Sequence, residues 1–212
     1  MIVLKVGGAV ANAVELDGLG EVVVVHGGGP QISAALERAG LRASFVRGRR
    51  VTDDAALPIV REALLAVNRR LCAALGPKAL GMAGDEIGLC ATRVPELGHV
   101  GVPVPSRPQA IVDALHAGLV PVVAPLAVGP LNVNADEAAA ALAVGLGAER
   151  IVFVTDVPGV LRAESVLSRI GADEADRMLG ELEGGIVPKL QAAVGAARLG
   201  IRAEIGITEV VA

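Results

Sequence analysis

The sequence predicts an α/β fold with a mostly parallel central sheet, and three observations lead to this class. Runs rich in β-branched residues alternate along the chain with runs of helical periodicity. Of the 212 residues 53% are hydrophobic, yet the chain has no Trp or Tyr and only two Phe. Glycines follow several of the helix-like runs. Parallel strands that alternate with helices are buried on both faces, and an aliphatic core of Val, Leu, Ile and Ala suits such a sheet.

Six strand-like and five helix-like runs make up the predicted elements. In the clearest helix, Ala55–Leu75, apolar residues recur every three or four positions. Gly40, Gly118 and Gly200 each follow a predicted helix and are expected to end it. The predicted strands are Ile2–Val6, Glu21–Val25, Ala79–Met82, Val120–Ala124, Ile151–Thr155 and Arg202–Ile207. The other predicted helices are Gln31–Ala39, Pro108–Ala117, Ala135–Leu146 and Pro188–Leu199.

Composition and charge narrow the classes of function. The net charge of −4 disfavours a nucleic acid or an acidic membrane as partner. The longest uncharged apolar run, Ala117–Leu131, contains three prolines and is too short to span a bilayer. Cys72 and Cys90 lack the spacing of a metal or redox motif, so we expect two buried thiols. The three histidines are scattered, and none is assigned a catalytic role. These features predict a cytoplasmic protein without a metal site of its own.

Glycine-rich turns suggest where an anion binds. HGGGP (His26–Pro30) joins a predicted strand to a predicted helix, and bare backbone there lets amide N–H groups approach an anion at the helix N-terminus. For this motif alone, a plain tight turn is the alternative. Two further glycine turns, KVGG (Lys5–Gly8) and GGIVPK (Gly184–Lys189), each carry a lysine. Because ligands of open parallel sheets bind beyond the carboxyl ends of the strands, the three turns together predict one phosphate site.

Six short motifs follow one another along nearly the whole chain. They are KVGG (Lys5–Gly8), HGGGP (His26–Pro30), GRRVTD (Gly48–Asp53), NVNAD (Asn132–Asp136), TDVPGVL (Thr155–Leu161) and GGIVPK (Gly184–Lys189). In this order they resemble the amino-acid kinase family, and within it the branch that phosphorylates N-acetyl-L-glutamate. Each motif is weak by itself, whereas the ordered set is specific.

The resemblance implies an open αβα sandwich, the carbamate kinase-like fold, with two lobes. Residues 1–149 would bind the acyl amino acid and form a homodimer, and residues 150–212 would bind ATP. The implied reaction transfers the γ-phosphoryl group of ATP to the side-chain carboxylate of N-acetyl-L-glutamate, a step of arginine biosynthesis. Mg²⁺ is expected to accompany ATP, held by phosphates and water.

Lys5, Lys189 and Asp136 are the predicted catalytic residues. The attacking carboxylate is already ionised at neutral pH, so the reaction needs fixed cations and amide donors rather than a general base. Lys5 and Lys189 are expected to flank the transferred group and stabilise its charge. Asp136 is expected to hold both lysines, as the family pattern suggests. The alternatives are a strand-end lysine, an ordinary first-turn lysine and a capping or first-turn acid, respectively.

Five residues are predicted to bind the substrate. By resemblance, Arg50 pairs with the α-carboxylate through two parallel hydrogen bonds, although a solvated basic hairpin is the alternative. Amides of Gly28 and Gly29 would hold the γ-carboxylate or γ-phosphate. Asn132 would hydrogen-bond the substrate carboxylate or amide. Both Asn132 and Asn134 could instead be turn residues, and the functional argument for Asn134 is the weaker one.

By resemblance, eight residues border the nucleotide. Most lie in TDVPGVL, where a Pro-Gly turn after a buried strand is the alternative. The others belong to the glycine turns that carry a lysine. The eight residues are Gly7, Gly8, Thr155, Asp156, Val157, Gly159, Leu161 and Gly185.

Two other functions stay open from the sequence. A carrier-protein-linked aminoadipate or glutamate kinase of lysine or arginine biosynthesis is the nearest enzyme; NVNAD and TDVPGVL favour the free acyl amino acid, but the acyl pocket cannot be read from sequence. A non-catalytic ligand-binding regulator would be expected to lose a lysine or Asp136, and all three are present. The first-helix region does not resemble the amino-terminal helix of arginine-inhibited hexamers, so we expect a dimer without that feedback.

Overall fold

The computed structural model describes residues 1–7, 18–163 and 165–212. Sixteen strands occur in these residues: β1 (Ile2–Val6), β2 (Val22–His26), β3 (Phe45–Val46), β4 (Arg49–Arg50), β5 (Ala79–Ala83), β6 (Ala91–Arg93), β7 (Val100–Pro103), β8 (Val120–Ala124), β9 (Leu126–Ala127), β10 (Leu131–Val133), β11 (Arg150–Val154), β12 (Leu161–Arg162), β13 (Ser165–Val166), β14 (Arg169–Gly171), β15 (Arg202–Ile205) and β16 (Thr208–Val211). The helices of the same residues are α1 (Gly29–Arg38), α2 (Ala56–Leu75), α3 (Gly84–Ile87), α4 (Gln109–His116), α5 (Ala135–Leu146), α6 (Ala172–Met178) and α7 (Ile186–Arg198).

One eight-stranded sheet forms the middle of the molecule, in the order β14-β16-β15-β11-β1-β2-β8-β5. Every neighbouring pair is parallel except β15 and β16, which form a hairpin. Helices pack on both faces, so the predicted α/β sandwich with a mostly parallel sheet is confirmed. The strands of residues 1–149 form one half of the sheet and those of residues 150–212 form the other, with β1 next to β11 at the middle.

The alternation of side chains along β1 decides which residue reaches the site. Leu4 belongs to the core cluster that packs against α2, whereas Val3 belongs to the cluster under α5 and α7. Successive side chains of a strand point to opposite faces, so Lys5 shares the α5 face with Val3. The run of buried aliphatic residues on both faces is what a central parallel strand requires.

The predicted strands and helices are all present, with boundaries within two residues of those expected. Gly40, Gly118 and Gly200 have φ values of 76°, 71° and 85°, which is the left-handed conformation that ends a helix. The predicted strand Arg202–Ile207 is wrong at its end. It stops at Ile205, because the chain reverses at Gly206 (φ 55°) into β16.

Three further expectations concern composition. The expected burial of both thiols is wrong for Cys90, which is exposed, and Cys72 is half-buried. None of the helices that the structure describes has the length and apolar character to cross a bilayer. In the same part of the chain, no three His, Cys, Asp or Glu side chains are grouped so that they could hold a metal ion.

Candidate active site

Two lysines from opposite halves of the sheet share one carboxylate. Lys5 Nζ lies 2.9 Å from Asp136 Oδ1, and Lys189 Nζ lies 3.9 Å from Asp136 Oδ2. Lys5 and Asp136 are each only 5% exposed. Lys5 comes from β1, Asp136 from the first turn of α5 and Lys189 from the first turns of α7. The cluster therefore joins the two halves at the carboxyl ends of the central strands, where ligands of open parallel sheets bind.

Asn134 explains how Asp136 is free to pair with lysines. The Oδ1 of Asn134 accepts hydrogen bonds from the backbone N–H of Asp136 (2.8 Å) and of Glu137 (3.2 Å). Asn134 is thus the N-cap of α5, and Asp136 is a buried acid in its first turn. The side-chain amide of Asn134 also donates to the Gly48 carbonyl at 3.2 Å. The polar atoms of Asn134 therefore cap α5 and bind the Gly48 carbonyl.

The cluster of Lys5, Lys189 and Asp136 has an uncompensated positive charge that favours a bound anion. Two ammonium groups meet one carboxylate, so the three side chains together carry one excess positive charge. Burial lowers the pKa of Lys189, and the nearby Lys5 charge lowers it further, while Asp136 opposes both effects. Asp136 Oδ1 is close to Lys5 but lacks the alignment of a hydrogen bond with any described residue. An anion placed between the lysines would relieve this repulsion.

A first cavity of about 200 Å³ opens beside the cluster. Lys5 and Asp136 line it. All five predicted substrate-binding residues line it as well, namely Gly28, Gly29, Arg50, Asn132 and Asn134. Apolar contacts come from Ile32, Leu64 and Val100, among others. The cavity therefore combines cations and amides with an apolar wall, as small-molecule sites commonly do.

Arg50 has an incomplete set of partners. Its Nη2 donates to the Gly29 carbonyl (3.1 Å) and to Ser33 Oγ (2.9 Å), whereas Nη1 is buried without a hydrogen-bond partner in the described residues. The guanidinium lies 4.5 Å from the ring centre of Phe45, and burial lowers its pKa. Arginine nevertheless stays charged, and a buried unpaired donor on it is costly. The arrangement suits an anionic group in the cavity.

Asn132 lies in β10, so it is not a turn residue. Its Nδ2 donates to Thr52 Oγ1 at 3.0 Å, and that hydroxyl donates to the Arg50 carbonyl at 2.9 Å. Thr52 is fully buried and was not anticipated from the sequence. It ties the orientation of Asn132 to the backbone of Arg50, which places the two predicted binding residues on the same cavity wall.

The β3–β4 hairpin, which carries Arg50, is held to α5 by an ion pair that sequence reasoning missed. Arg49 makes two hydrogen bonds to the Glu137 carboxylate, at 2.6 and 3.1 Å. Parallel hydrogen bonds of this kind are stronger and more directional than a single contact. Both neighbouring arginines line the first cavity, but their partners differ: Arg49 pairs with Glu137, whereas Arg50 keeps a buried Nη1 without a hydrogen-bond partner in the described residues.

A second cavity of about 300 Å³ lies on the other side of Lys189, which lines it. Six of the predicted nucleotide-binding residues also line it, namely Thr155, Asp156, Val157, Gly159, Leu161 and Gly185. Gly7 is not among its lining residues, and Gly8 lies outside the described residues. The cavity is built entirely from residues of the 150–212 half.

The loop Pro158–Val160, beside the second cavity, is hydrogen-bonded to the β15–β16 hairpin. Thr208 is fully buried; its hydroxyl accepts from the Val160 N–H (2.9 Å) and donates to the Leu167 carbonyl (2.6 Å). The Ile207 N–H donates to the Pro158 carbonyl at 2.8 Å. A side chain at Gly159 would collide with the Thr208 hydroxyl. The sequence offered no local signal for these contacts between distant segments.

The arrangement of the sheet and helices is also that of carbamate kinase. The carbamate kinase from Giardia lamblia bound to AMP-PNP superimposes with a TM-score of 0.69 at 14% identity, over 99% of this chain and 97% of that one. At this identity the likeness concerns the fold alone. The structure of smu.665 from Streptococcus mutans UA159 is more similar, with a TM-score of 0.90 at 27% identity, over 99% and 98% of the two chains.

The chain belongs to the amino acid kinase family, whose sequence profile matches residues 1–206. It is 41% identical to an acetylglutamate kinase of Cereibacter sphaeroides, over 86% of this chain and 67% of that protein. It is 40% identical to an acetylglutamate kinase of Methanopyrus kandleri, over 95% of this chain and 92% of that protein. The family predicted from the motifs is confirmed.

Proposed function

We propose that the protein catalyses the ATP-dependent phosphorylation of the side-chain carboxylate of N-acetyl-L-glutamate, giving N-acetyl-L-glutamyl 5-phosphate in arginine biosynthesis. The observation that carries this proposal is the position of the lysine pair. Lys5 lines the first cavity, Lys189 lines the second, and Asp136 contacts both. A group that passes from one cavity to the other would pass between two ammonium groups.

The substrate is assigned to the first cavity on chemical grounds. N-acetyl-L-glutamate carries two carboxylates and an acetamide, and the cavity offers the free Nη1 of Arg50, the lysine pair and an apolar wall. In the proposed pose the α-carboxylate pairs with Arg50. The γ-carboxylate then faces the glycine turn and Lys5, and Asn132 hydrogen-bonds the acyl amino group or its carboxylate. The relatives named acetylglutamate kinase support this choice of substrate.

The transfer itself requires charge stabilisation more than proton transfer. The γ-carboxylate oxygen attacks the terminal phosphorus of ATP, the bond to the β-phosphate oxygen breaks, and ADP leaves. Negative charge spreads over the equatorial oxygens of the migrating group. Lys5 and Lys189 would stabilise those oxygens from two sides, together with the amides of Gly28 and Gly29. Asp136 would keep the two lysines at the right separation before ATP binds.

ATP is assigned to the second cavity, formed by Thr155, Asp156, Val157, Gly159, Leu161 and Gly185. Gly7 and Gly8, which follow β1 in the sequence, are proposed to bind its phosphates. Asp156 and Glu183 line this cavity, and they are too few to form a metal centre without the nucleotide. Mg²⁺ would therefore be held mainly by phosphates and water, and it would screen the phosphate charge when bound.

The proposal also includes a division of the chain into two lobes and assembly as a homodimer. Residues 1–149 would be the substrate-binding and dimerisation lobe, and residues 150–212 the ATP-binding lobe. Their separation on the two halves of the sheet supports this division. Assembly as a homodimer stays a prediction, and sedimentation at several protein concentrations would test it; a hexamer would contradict it.

A substrate panel tests the function directly. ADP release is measured with ATP and N-acetyl-L-glutamate, with free glutamate, with α-aminoadipate and with carrier-protein-linked forms of both amino acids. We expect turnover to be highest with N-acetyl-L-glutamate. Preference for a carrier-linked substrate would replace the proposed activity by that of the related kinase. ATP and N-acetyl-L-glutamate binding without ADP release would indicate a regulator instead.

A further inference from the structure

His26 is a fully buried histidine that lies behind the glycine turn and lines neither cavity. It is the last residue of β2, and its ring bridges the turn and helix α2. Nδ1 lies 3.1 Å from the Gly27 carbonyl oxygen, and Nε2 lies 3.1 Å from Nδ2 of Asn68. Asn68 is itself a buried polar residue on an otherwise apolar helix face. Both buried side chains are hydrogen-bonded, as buried polar groups generally are.

The partners fix one tautomer of the ring. A carbonyl oxygen only accepts, so Nδ1 carries the proton in the bond to Gly27. Asn68 Nδ2 also donates to the Val122 carbonyl at 2.8 Å, which fixes the amide with its NH₂ toward His26. Nε2 therefore accepts from Asn68. Burial lowers the pKa of His26 to about 4, with the Gly27 bond opposing that shift, so the ring is neutral as this pattern requires.

The bond to Gly27 has a consequence for the next amide. In a trans peptide unit the C=O and the N–H point in opposite directions, and the described residues contain no cis peptide bonds. The Gly27 carbonyl is turned toward the buried ring, so the Gly28 N–H is turned away from it. Gly27, Gly28 and Gly29 all line the first cavity. No described residue accepts a hydrogen bond from the Gly28 N–H, which leaves it available to an anion there.

We propose that His26, held in its Nδ1-protonated tautomer by Asn68, is a positioning residue that aims the Gly28 amide into the first cavity. The inference rests on the proposed function, since the anion it serves is the γ-carboxylate of the acyl amino acid and the phosphoryl group that reaches it. His26 touches neither reactant. Its effect passes through the orientation of a single peptide unit, which becomes a fixed donor where charge develops.

A matched pair of variants separates this role from simple packing. Asparagine and leucine have similar size and both remove the ring, but only Asn can donate a hydrogen bond from near the Nδ1 position. We expect His26→Leu to have kcat/KM for N-acetyl-L-glutamate about tenfold below that of His26→Asn, with KM for ATP equal in the two within about twofold. Leu71→Ala, in the same helix as Asn68 and away from both cavities, is the control for stability alone. It should lower Tm without changing the kinetic constants at a temperature where the protein is folded.

Spectroscopy tests the same inference without turnover. In ¹⁵N spectra of histidine-labelled wild-type protein we expect Nδ1 of His26 to be protonated and Nε2 to be unprotonated. We also expect the Gly28 amide resonance to stay in place in His26→Asn and to move in His26→Leu. An Nε2-protonated ring, or equal kcat/KM in the two variants, would overturn the inference. Absence of turnover in the wild type with N-acetyl-L-glutamate would overturn the proposed function instead, and the tautomer and the Gly28 resonance would still decide the role of His26.

Discussion

Lys5 and Lys189, far apart in the chain, contact opposite oxygens of the Asp136 carboxylate, at 2.9 and 3.9 Å. Like charges are brought this close only where a third group compensates them, and the single carboxylate compensates only one. The remaining positive charge lies between the two cavities. A polyanionic group placed there would be stabilised by this charge.

Replacing Lys189 should affect turnover more than binding. In Lys189→Met the side chain keeps its length and loses its charge, so the transition state loses a stabilising cation. We expect kcat to fall by at least about a hundredfold while KM for either substrate changes by less than about fivefold. Steady-state kinetics with each substrate varied in turn measure this. A large rise in KM with unchanged kcat would make Lys189 a ground-state binder.

Arg50 should govern affinity for the acyl amino acid. In Arg50→Lys the charge remains but the second parallel hydrogen bond is lost, as is stacking on Phe45. We expect KM for N-acetyl-L-glutamate to rise at least about tenfold and KM for ATP to stay unchanged. Arg47→Lys is the matched control in the same hairpin and should leave both constants unchanged. Equal effects of the two substitutions would assign Arg50 to general hairpin structure.

The Thr208 hydroxyl should affect ATP binding through the loop Pro158–Val160, although Thr208 does not line the second cavity. Thr208→Val keeps the shape and leaves the Val160 N–H and the Leu167 carbonyl without their partner, at a cost of about 1–3 kcal/mol in stability. We expect KM for ATP to rise while KM for the acyl substrate is unchanged, and Thr208→Ser to restore ATP binding. A loss of stability with both KM values unchanged would show that the loop holds its shape without this hydroxyl.

Acid should destabilise the protein in part through His26. Its pKa falls from the usual 6.5 to about 4 on folding, because burial disfavours the charged ring. The unfolded chain therefore takes up a proton at higher pH than the folded one. The contribution, at most roughly 3 kcal/mol, is complete above pH 6.5 and is lost as the pH falls toward about 4.

Urea unfolding of the wild type and of His26→Asn across that interval measures the effect. The free energy of unfolding should fall more steeply with decreasing pH in the wild type than in the variant, which lacks the titrating ring. Parallel curves would mean that His26 does not titrate differently in the two states.

Alkaline pH should reduce turnover through Lys189. Burial and the Lys5 charge lower its pKa, so its ammonium is lost at lower pH than that of an exposed lysine. We expect kcat of the wild type to decline on the alkaline side. The residual kcat of Lys189→Arg should lack that decline, because the arginine side chain stays charged. The same alkaline profile in both proteins would place the titrating group elsewhere.

The long elements were predictable because they repeat a pattern over many residues. Helix α2 buries Val60, Leu64, Val67 and Leu71 with helical spacing, and the β1 run is continuously apolar except for Lys5. Strands of two to four residues, such as β3 and β4 or β9 and β10, are too short to show a period. Hence the small sheet of β6, β7, β9 and β10 was not predicted, and the hairpin that lines the first cavity was considered only as a solvated alternative to the binding role of Arg50.

The candidate site likewise contains features that the sequence predicted and features that it did not. The motifs contain most of the glycine, polar and charged residues that line the two cavities, because glycine turns and isolated charges are local signals, whereas apolar lining residues such as Ile32 and Leu64 were not predicted. They could not show that Glu137 pairs with Arg49, that Thr52 bridges Asn132 and Arg50, or that Thr208 supports Val160. Each of these contacts joins segments that are distant in the sequence and that only the fold brings together, so a motif in one segment does not reveal its partner in the other.

Trapping of the acyl phosphate tests the central claim most directly. The protein is incubated with ATP, Mg²⁺ and N-acetyl-L-glutamate in hydroxylamine, and the hydroxamate is quantified for the wild type, Lys5→Met and Lys189→Met. We predict hydroxamate in proportion to ADP for the wild type and almost none for either folded lysine variant. No hydroxamate from the wild type, or undiminished product from both variants, would contradict transfer between these two lysines.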